Sequence, residues 1–180
     1  MELSSPDASG LLTTACRLVL DAQQNGDYVT WITLAGSSWF APDVADIGID
    51  LDALVVIRVK DLTSAARAAD EIGRTQAFGL VVVDIGADIG AASRPGDRLP
   101  AAALTRLSGL ALSHGLAIVF LTSKPADAPS ISSLISLRIE THSEPCGNGH
   151  YRTHLRVVKD KRRGPGARHD EVCRVPAGLR

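Results

Sequence analysis

The sequence predicts an α/β fold: a mainly parallel sheet flanked by helices, with an antiparallel hairpin near its C-terminal end. Three observations predict it. Segments with helical periodicity alternate with short β-branched or apolar runs, the pattern of a parallel sheet carrying helices on its faces. Two of these runs, Leu80-Val81-Val82-Val83-Asp84 and Leu116 to Thr122, are almost wholly apolar, as strands buried on both faces are. The last part of the chain instead alternates apolar and polar residues on either side of Pro145-Cys146-Gly147-Asn148-Gly149, a turn signal.

The elements follow in order. Leu11, Leu12, Ala15, Leu18, Val19 and Ala22 recur at helical spacing, so Gly10 to Gln24 reads as a helix. Ser9 is placed to cap its start, and Asn25-Gly26-Asp27 ends it with turn chemistry. Tyr28 to Leu34 is β-branched and aromatic, hence a strand. Ala35 to Phe40 reads as a loop, and Pro42 to Ile47 as a short helix stopped by Gly48. Leu54 to Val59 is a second apolar strand, and alanine-rich Leu62 to Thr75 an amphipathic helix. Asp88 to Asp97 reads as a mobile loop. Pro100 to His114 is a helix with proline near its first turn, where the missing N–H costs nothing. Ser123 to Ser130 holds two prolines and is a loop. Leu134 to Thr141 and Tyr151 to Lys159 form the hairpin, and Glu171 to Val175 is a last strand. No internal repeat or heptad pattern is present.

A length of 180 residues, 45% of them hydrophobic, suits one domain with a sizeable core. Net charge is −1, so no global charge draws the chain to nucleic acid or membrane. The charge is uneven, though. Residues 151–180 hold nine lysines and arginines against three acids, which suggests a basic contact surface or a solvated basic tail. Cys16, Cys146 and Cys173 are odd in number and widely spaced, which argues against a disulfide framework and fits a reducing compartment. Met1 to Gly10 is acidic and polar and lacks a basic-then-apolar signal region, and no apolar run reaches bilayer-spanning length. A cytoplasmic protein with no membrane contact is expected.

The chemistry-bearing feature is Ser5-Pro6-Asp7-Ala8-Ser9-Gly10-Leu11-Leu12-Thr13. A turn-rich segment, a glycine and then an apolar helix give the spacing of a phosphate-binding P-loop. Such a loop needs a lysine for the β- and γ-phosphates and a hydroxyl for Mg²⁺ directly after the glycine. Leu11 and Leu12 stand there, and leucine serves neither purpose.

With this loop, three further stretches resemble the RecA recombinase core across nearly the whole chain. Ile47-Gly48-Ile49-Asp50-Leu51-Asp52-Ala53-Leu54 is similar to the run after that family's adenine-side loop. Leu80 to Asp84 is similar to its Walker B strand. Arg156-Val157-Val158-Lys159-Asp160-Lys161 is similar to a strand near the end of the core. The resemblance implies a single RecA-like, P-loop-type domain over residues 1–180. Ser9, Gly10, Leu11, Leu12 and Asp84 then form a degenerate nucleotide site. Asp84 would be the Walker B carboxylate. Read from its own surroundings, it is an acid at the end of a buried strand, held by nearby backbone N–H groups.

The departures from the family are informative. No carboxylate occupies Ala35-Gly36-Ser37-Ser38, where the resemblance implies a catalytic glutamate. The adenine-stacking aromatic falls near Asp43, and the sensor glutamine on or near Ser123. The loop that holds single-stranded DNA is cut to roughly Lys124 to Ser132. No counterpart is expected for the family's N-terminal polymerisation segment or its small C-terminal domain.

These losses lead us to expect no enzyme activity, no cofactor and no metal. Lys159 and Lys161, two apart on a strand, share a face. The resemblance implies that such a pair reaches a neighbouring subunit's nucleotide. Arg162, Arg163 and Arg168 extend the positive region on a Gly/Pro backbone, suited at most to weak, salt-sensitive contact with nucleic acid. The alternative is an ordinary exposed basic strand.

The expected function is that of a non-catalytic RecA-like accessory protein of DNA repair and SOS mutagenesis. It resembles ImuA proteins, whose partners are RecA recombinase and an error-prone DNA polymerase subunit. The alternatives are a SulA-like inhibitor of cell division acting on FtsZ, a weak single-stranded DNA-binding protein, and a divergent ATPase. Elsewhere His114 reads as a helix end, and His142, His150 and His154 lack metal-ligand spacing. Cys16 and Trp31 read as core. Ser37 and Ser38 belong to no triad order. Trp39 and Phe40 are either a partner anchor or packing over the sheet's end.

Overall fold

The structure is a computed structural model that describes residues 1–35, 39, 41–85 and 99–174. The chain order is β1 (Glu2–Ser5), α1 (Leu11–Gln24), β2 (Val29–Leu34), α2 (Ala41–Asp46), β3 (Leu54–Val59), α3 (Leu62–Thr75), β4 (Leu80–Asp84), α4 (Ala101–His114), β5 (Ala117–Ser123), β6 (Leu137–Gly147), β7 (His150–Asp160) and β8 (Arg168–Arg174). The eight strands among the described residues join one sheet in the order β3-β2-β4-β5-β1-β6-β7-β8. The six strands from β3 to β6 run parallel, and β7 and β8 turn antiparallel.

Alternation along the strands builds two cores. Leu80 and Val82 of β4 join Val119 and Leu121 of β5, and Val29 and Trp31 of β2, against Ala15 and Val19 of α1. Val81, Val83, Ile118, Phe120 and Ile32 point to the other face, against Ala65 and Ala69 of α3 and Leu104 and Leu107 of α4. This is the double burial that the apolar runs predict. Asp61 caps α3, its carboxylate accepting from the Ser64 N–H at 2.7 Å, and the helix keeps its expected bounds. Trp31 and Cys16 are core as expected, and burial raises the Cys16 thiol to about 11. Among the described residues no helix is long and apolar enough to cross a membrane.

Three expectations are corrected. The polar N-terminal segment contains a strand: all four residues of β1 are buried between β5 and β6. Glu2 and Ser4 disguised it, because their polar groups are satisfied by residues distant in sequence. The hairpin is longer than its apolar alternation indicates. β6 runs on to Gly147, and the turn narrows to Asn148-Gly149, with a register irregularity between Pro145 and Gly147. Arg168 and its neighbours, read as flexible, start β8, because Ala167 O accepts from the Val157 N–H at 2.8 Å. The expected loop Asp88 to Asp97, Gly36, Ser37, Ser38, Phe40 and Val175 to Arg180 lie outside the described residues.

Candidate functional site

The segment Ser5–Gly10 leaves β1 at the carboxyl end of the parallel strands and turns into α1. Strand alternation directs Ser5, Thr33, Asp84 and Ser123 to the α1 side at this end of the sheet. Asp84 is half-buried, and its Oδ2 accepts from the Thr33 hydroxyl at 3.2 Å. A hydroxyl on the next strand is thus one of its partners.

Gly10 occupies the N-cap of α1 with φ of 71°, and no side chain caps the helix. A β-carbon at Gly10 would lie 2.7 Å from Ser143 Oγ and 3.0 Å from Thr153 Cγ2. Both the left-handed backbone and the approach of β6 and β7 therefore require glycine. Ser9 is not the expected cap. Its hydroxyl accepts from the Ser143 N–H at 3.0 Å, and its carbonyl accepts from Thr141 Oγ1 at 2.9 Å. His142 Nδ1 lies 3.4 Å from Ser9 Oγ and 3.5 Å from Asp7 Oδ2. The loop is latched to β6, a competition for Ser9 that no local spacing reveals.

Asp7 fills the loop from within. Its Oδ1 accepts from the Ser9 N–H at 3.0 Å and from the Ser5 hydroxyl at 2.7 Å. Hydrogen bonding by Ser9 and Ser5 holds the Asp7 carboxyl well below the usual carboxylate range. The Leu11 N–H turns back to Ala8 O at 3.4 Å. Two N–H groups of the turn are thus engaged by the loop itself, one of them by an anion. Leu11 is buried in the core beneath α1, while Leu12 is exposed at the surface. Neither side chain offers a donor to a phosphate.

On the other face of the sheet a buried polar knot holds the segment after β5. Lys124 Nζ lies 2.6 Å from Glu2 Oε1 and donates to Pro129 O at 2.6 Å. Glu2 also accepts from the Thr122 hydroxyl at 3.0 Å and the Ile131 N–H at 3.2 Å. Arg138 of β6 donates to Ser4 Oγ at 3.0 Å, to Pro125 O at 2.6 Å and to Ala128 O. The residues around Lys124 to Ser132 are therefore laced down with carbonyls turned inward. Glu2 and Arg138 carry no motif that points to this role.

The basic residues fall into two places. Lys159 lies near the end of β7, and Lys161 lies just past it, in the following turn; the expected strand pair is half strand, half turn. Lys159 Nζ donates to Ser133 O at 3.4 Å, and partial burial together with Lys161 pushes its ammonium below the ordinary range. The Lys161 N–H donates to Ser136 O at 2.9 Å. Arg162 and Arg163 belong to the same turn, which Asp160 closes by accepting both their N–H groups at 2.7 and 3.1 Å. Arg168 stands apart on β8, paired across the ladder with Arg156, whose guanidinium forks onto Glu140 Oε2 at 2.7 and 3.1 Å. Trp39 packs partly against the α1-side core, with the Arg58 guanidinium 6.0 Å from its ring centroid, so it is no free-standing anchor. Among the described residues no group of three or more His, Cys, Asp or Glu side chains converges on a metal position.

No family model matches the chain. Protein RecA of Amycolatopsis mediterranei (strain U-32) is 28% identical over 198 aligned positions, covering 92% of this chain and 56% of that protein. Protein RecA of Nocardioides sp. (strain ATCC BAA-499 / JS614) is 34% identical over 85 positions, covering 47% of this chain and 24% of that protein. The chain is thus similar to RecA proteins and spans about half the length of the first of them.

Proposed function

We propose that this chain is a RecA-like accessory protein of DNA repair that binds no nucleotide and acts through its surface. The observation that carries the reading is the loop at Gly10. Its lysine and hydroxyl positions are Leu11 and Leu12, one buried and one exposed, and the Ser9 N–H is taken by Asp7. Phosphoryl transfer depends on positioning and charge stabilisation by such groups, and leucine supplies neither at these two positions. The similarity to RecA proteins supports a role connected with recombination or repair.

In this reading Lys159 and Lys161 supply cations to a nucleotide-loaded recombinase, in the manner of the SOS mutagenesis accessories that also engage an error-prone polymerase. Both lysines keep to one end of β7, beside Arg162 and Arg163. Direct binding of single-stranded DNA is the weaker reading. The carbonyls of Pro125, Ala128 and Pro129 are committed to Arg138 and Lys124, so the short segment after β5 is not free to wrap a strand.

Two measurements test the proposal together. Calorimetric titration with ATP and Mg²⁺ is expected to give no saturable heat; micromolar binding would reject it. Immobilised protein is expected to capture RecA loaded with a non-hydrolysable ATP analogue, and Lys159→Glu/Lys161→Glu to lose that capture. Unchanged capture by the double variant removes the lysine contact, and capture of FtsZ in place of RecA favours the division-inhibitor reading.

A further inference from the structure

A cleft of about 380 Å³ opens on the α4 side of the sheet, between α4, β5 and the segment before β6. Its floor is apolar: Leu107 of α4 and Ile118 and Phe120 of β5 are all buried. Its rim carries Leu112, 82% exposed, and Leu134, 42% exposed. Among the described residues of the lining Lys161 is the one charged side chain, and no carboxylate accompanies it; Met1 lines the cleft as well, its terminal ammonium donating to Ile118 O at 2.6 Å. Lys159 lies two residues before Lys161, near the end of β7, and its Nζ donates to Ser133 O at 3.4 Å beside the cleft segment.

These features select an occupant. An apolar floor takes an apolar side chain, whose removal from water favours binding. Two solvent-facing leucines extend the apolar surface past the cavity mouth, so the occupant is broader than the cavity and crosses from α4 toward β7. Lys161 has no counter-charge among the described residues of the lining and calls for an anion at that end. We propose that this cleft docks a peptide segment of a partner protein in which a large apolar side chain adjoins a carboxylate. The inference shares Lys161 with the proposed recombinase contact and otherwise stands on separate residues.

The test is an NMR titration of the ¹⁵N-labelled full chain with the capped tripeptide Ac-Asp-Leu-Phe-NH2. Saturable shifts centred on Leu112, Leu134 and Lys161 are expected. Replacing the peptide's Asp by Asn, or its Leu-Phe by Ala-Ala, is expected to weaken binding by about tenfold or more, a difference of about 1.4 kcal/mol. Leu112→Asp, at an exposed position that leaves the core intact, is expected to weaken binding by a similar factor while the circular dichroism stays unchanged. Indifference to the carboxylate, shifts centred elsewhere, or no saturable shift up to about 5 mM, a weak millimolar regime, overturns the proposal. Tighter binding of sodium decanoate than of the tripeptide also overturns it and reassigns the cleft to a fatty-acid-like ligand. Loss of tripeptide binding with recombinase capture intact removes this inference alone. The reverse result removes only the proposed function.

Discussion

The Lys124 ammonium lies 2.6 Å from Glu2 Oε1, with the carboxylate side chain fully buried and the lysine side chain only 9% exposed. The pair joins the first strand to the segment after the fifth, 122 residues later. Leu3 faces the α1 core, so alternation sends Glu2 and Ser4 to the opposite face, beneath residues 124–131. There the carboxylate finds Thr122, Lys124 and the Ile131 N–H, and Ser4 finds Arg138.

Breaking this pair from one side is predicted to cost more than removing it whole. Lys124→Met leaves the Glu2 carboxylate buried without its counter-charge, a loss of about 3–5 kcal/mol. Glu2→Leu/Lys124→Met leaves no unpaired charge and is expected to recover much of that loss. Urea denaturation of the wild type, both single variants and the double variant reads the coupling directly. A double variant as unstable as the sum of the singles means that the two charges do not stabilise one another.

Gly10→Ala is predicted to destabilise through two separate effects. A β-carbon at φ of 71° carries a left-handed penalty of about 1–2 kcal/mol. Crowding against Ser143 Oγ and Thr153 Cγ2 adds about 1–3 kcal/mol. The denaturation midpoint should fall accordingly, and Ser143→Gly in the same chain should restore part of the loss by removing the nearer atom. No rescue by Ser143→Gly would mean that the contact with Ser143 adds nothing and that backbone strain and Thr153 account for the effect.

The contrast between legible and illegible elements has a physical origin. β4 and β5 stand out because both of their faces are buried against helices, so nearly every residue is apolar. α3 is legible to its ends because Asp61 caps it locally and a left-handed Gln76 stops it. β1 is equally buried yet reads as polar, since its partners are Lys124 and Arg138, far along the chain. Ser9 looks like a helix cap until β6 arrives and claims its hydroxyl and its carbonyl. The β6-β7-β8 ribbon is largely exposed at its far end, so its sequence carries little pressure to alternate, and the start of β8 hides among glycine and proline. The glycine turn into α1 is legible at Gly10; the anion that Asp7 supplies to it is not, because it needs the folded turn.

His154 on β7 bridges the two flanking strands, Nδ1 to Asp170 Oδ1 at 2.8 Å and Nε2 to Glu144 Oε1 at 3.3 Å. The hydrogen bond to Asp170, followed by that to Glu144, raises its pKa above the ordinary 6.5. A raised folded value means that the stabilisation is fully present below pH 6.5 and fades as pH climbs through the folded pKa. An NMR titration of the His154 ring should place its midpoint above 6.5. Asp170→Asn should lower that midpoint further than Glu144→Gln does. A midpoint at or below 6.5 in the wild type would show that the bridge does not form.

Placing a lysine and a hydroxyl directly after Gly10 tests whether this turn can hold a phosphate at all. Leu12 is 37% exposed, so Leu12→Thr should change stability by no more than about 0.5 kcal/mol. Leu11 is 6% exposed in the core, so Leu11→Lys forfeits about 1.5–3 kcal/mol of apolar burial and must also bring its ammonium back to solvent. Asp7 continues to hold the Ser9 N–H in either variant. The double variant Leu11→Lys/Leu12→Thr is therefore expected to be less stable than the wild type and still silent toward ATP and Mg²⁺ by calorimetry. If it folds with undiminished stability and takes up the nucleotide, the turn is still a phosphate cradle that lacks only its lysine and hydroxyl, and the engagement of its N–H groups by Asp7 and Ala8 is no barrier to binding.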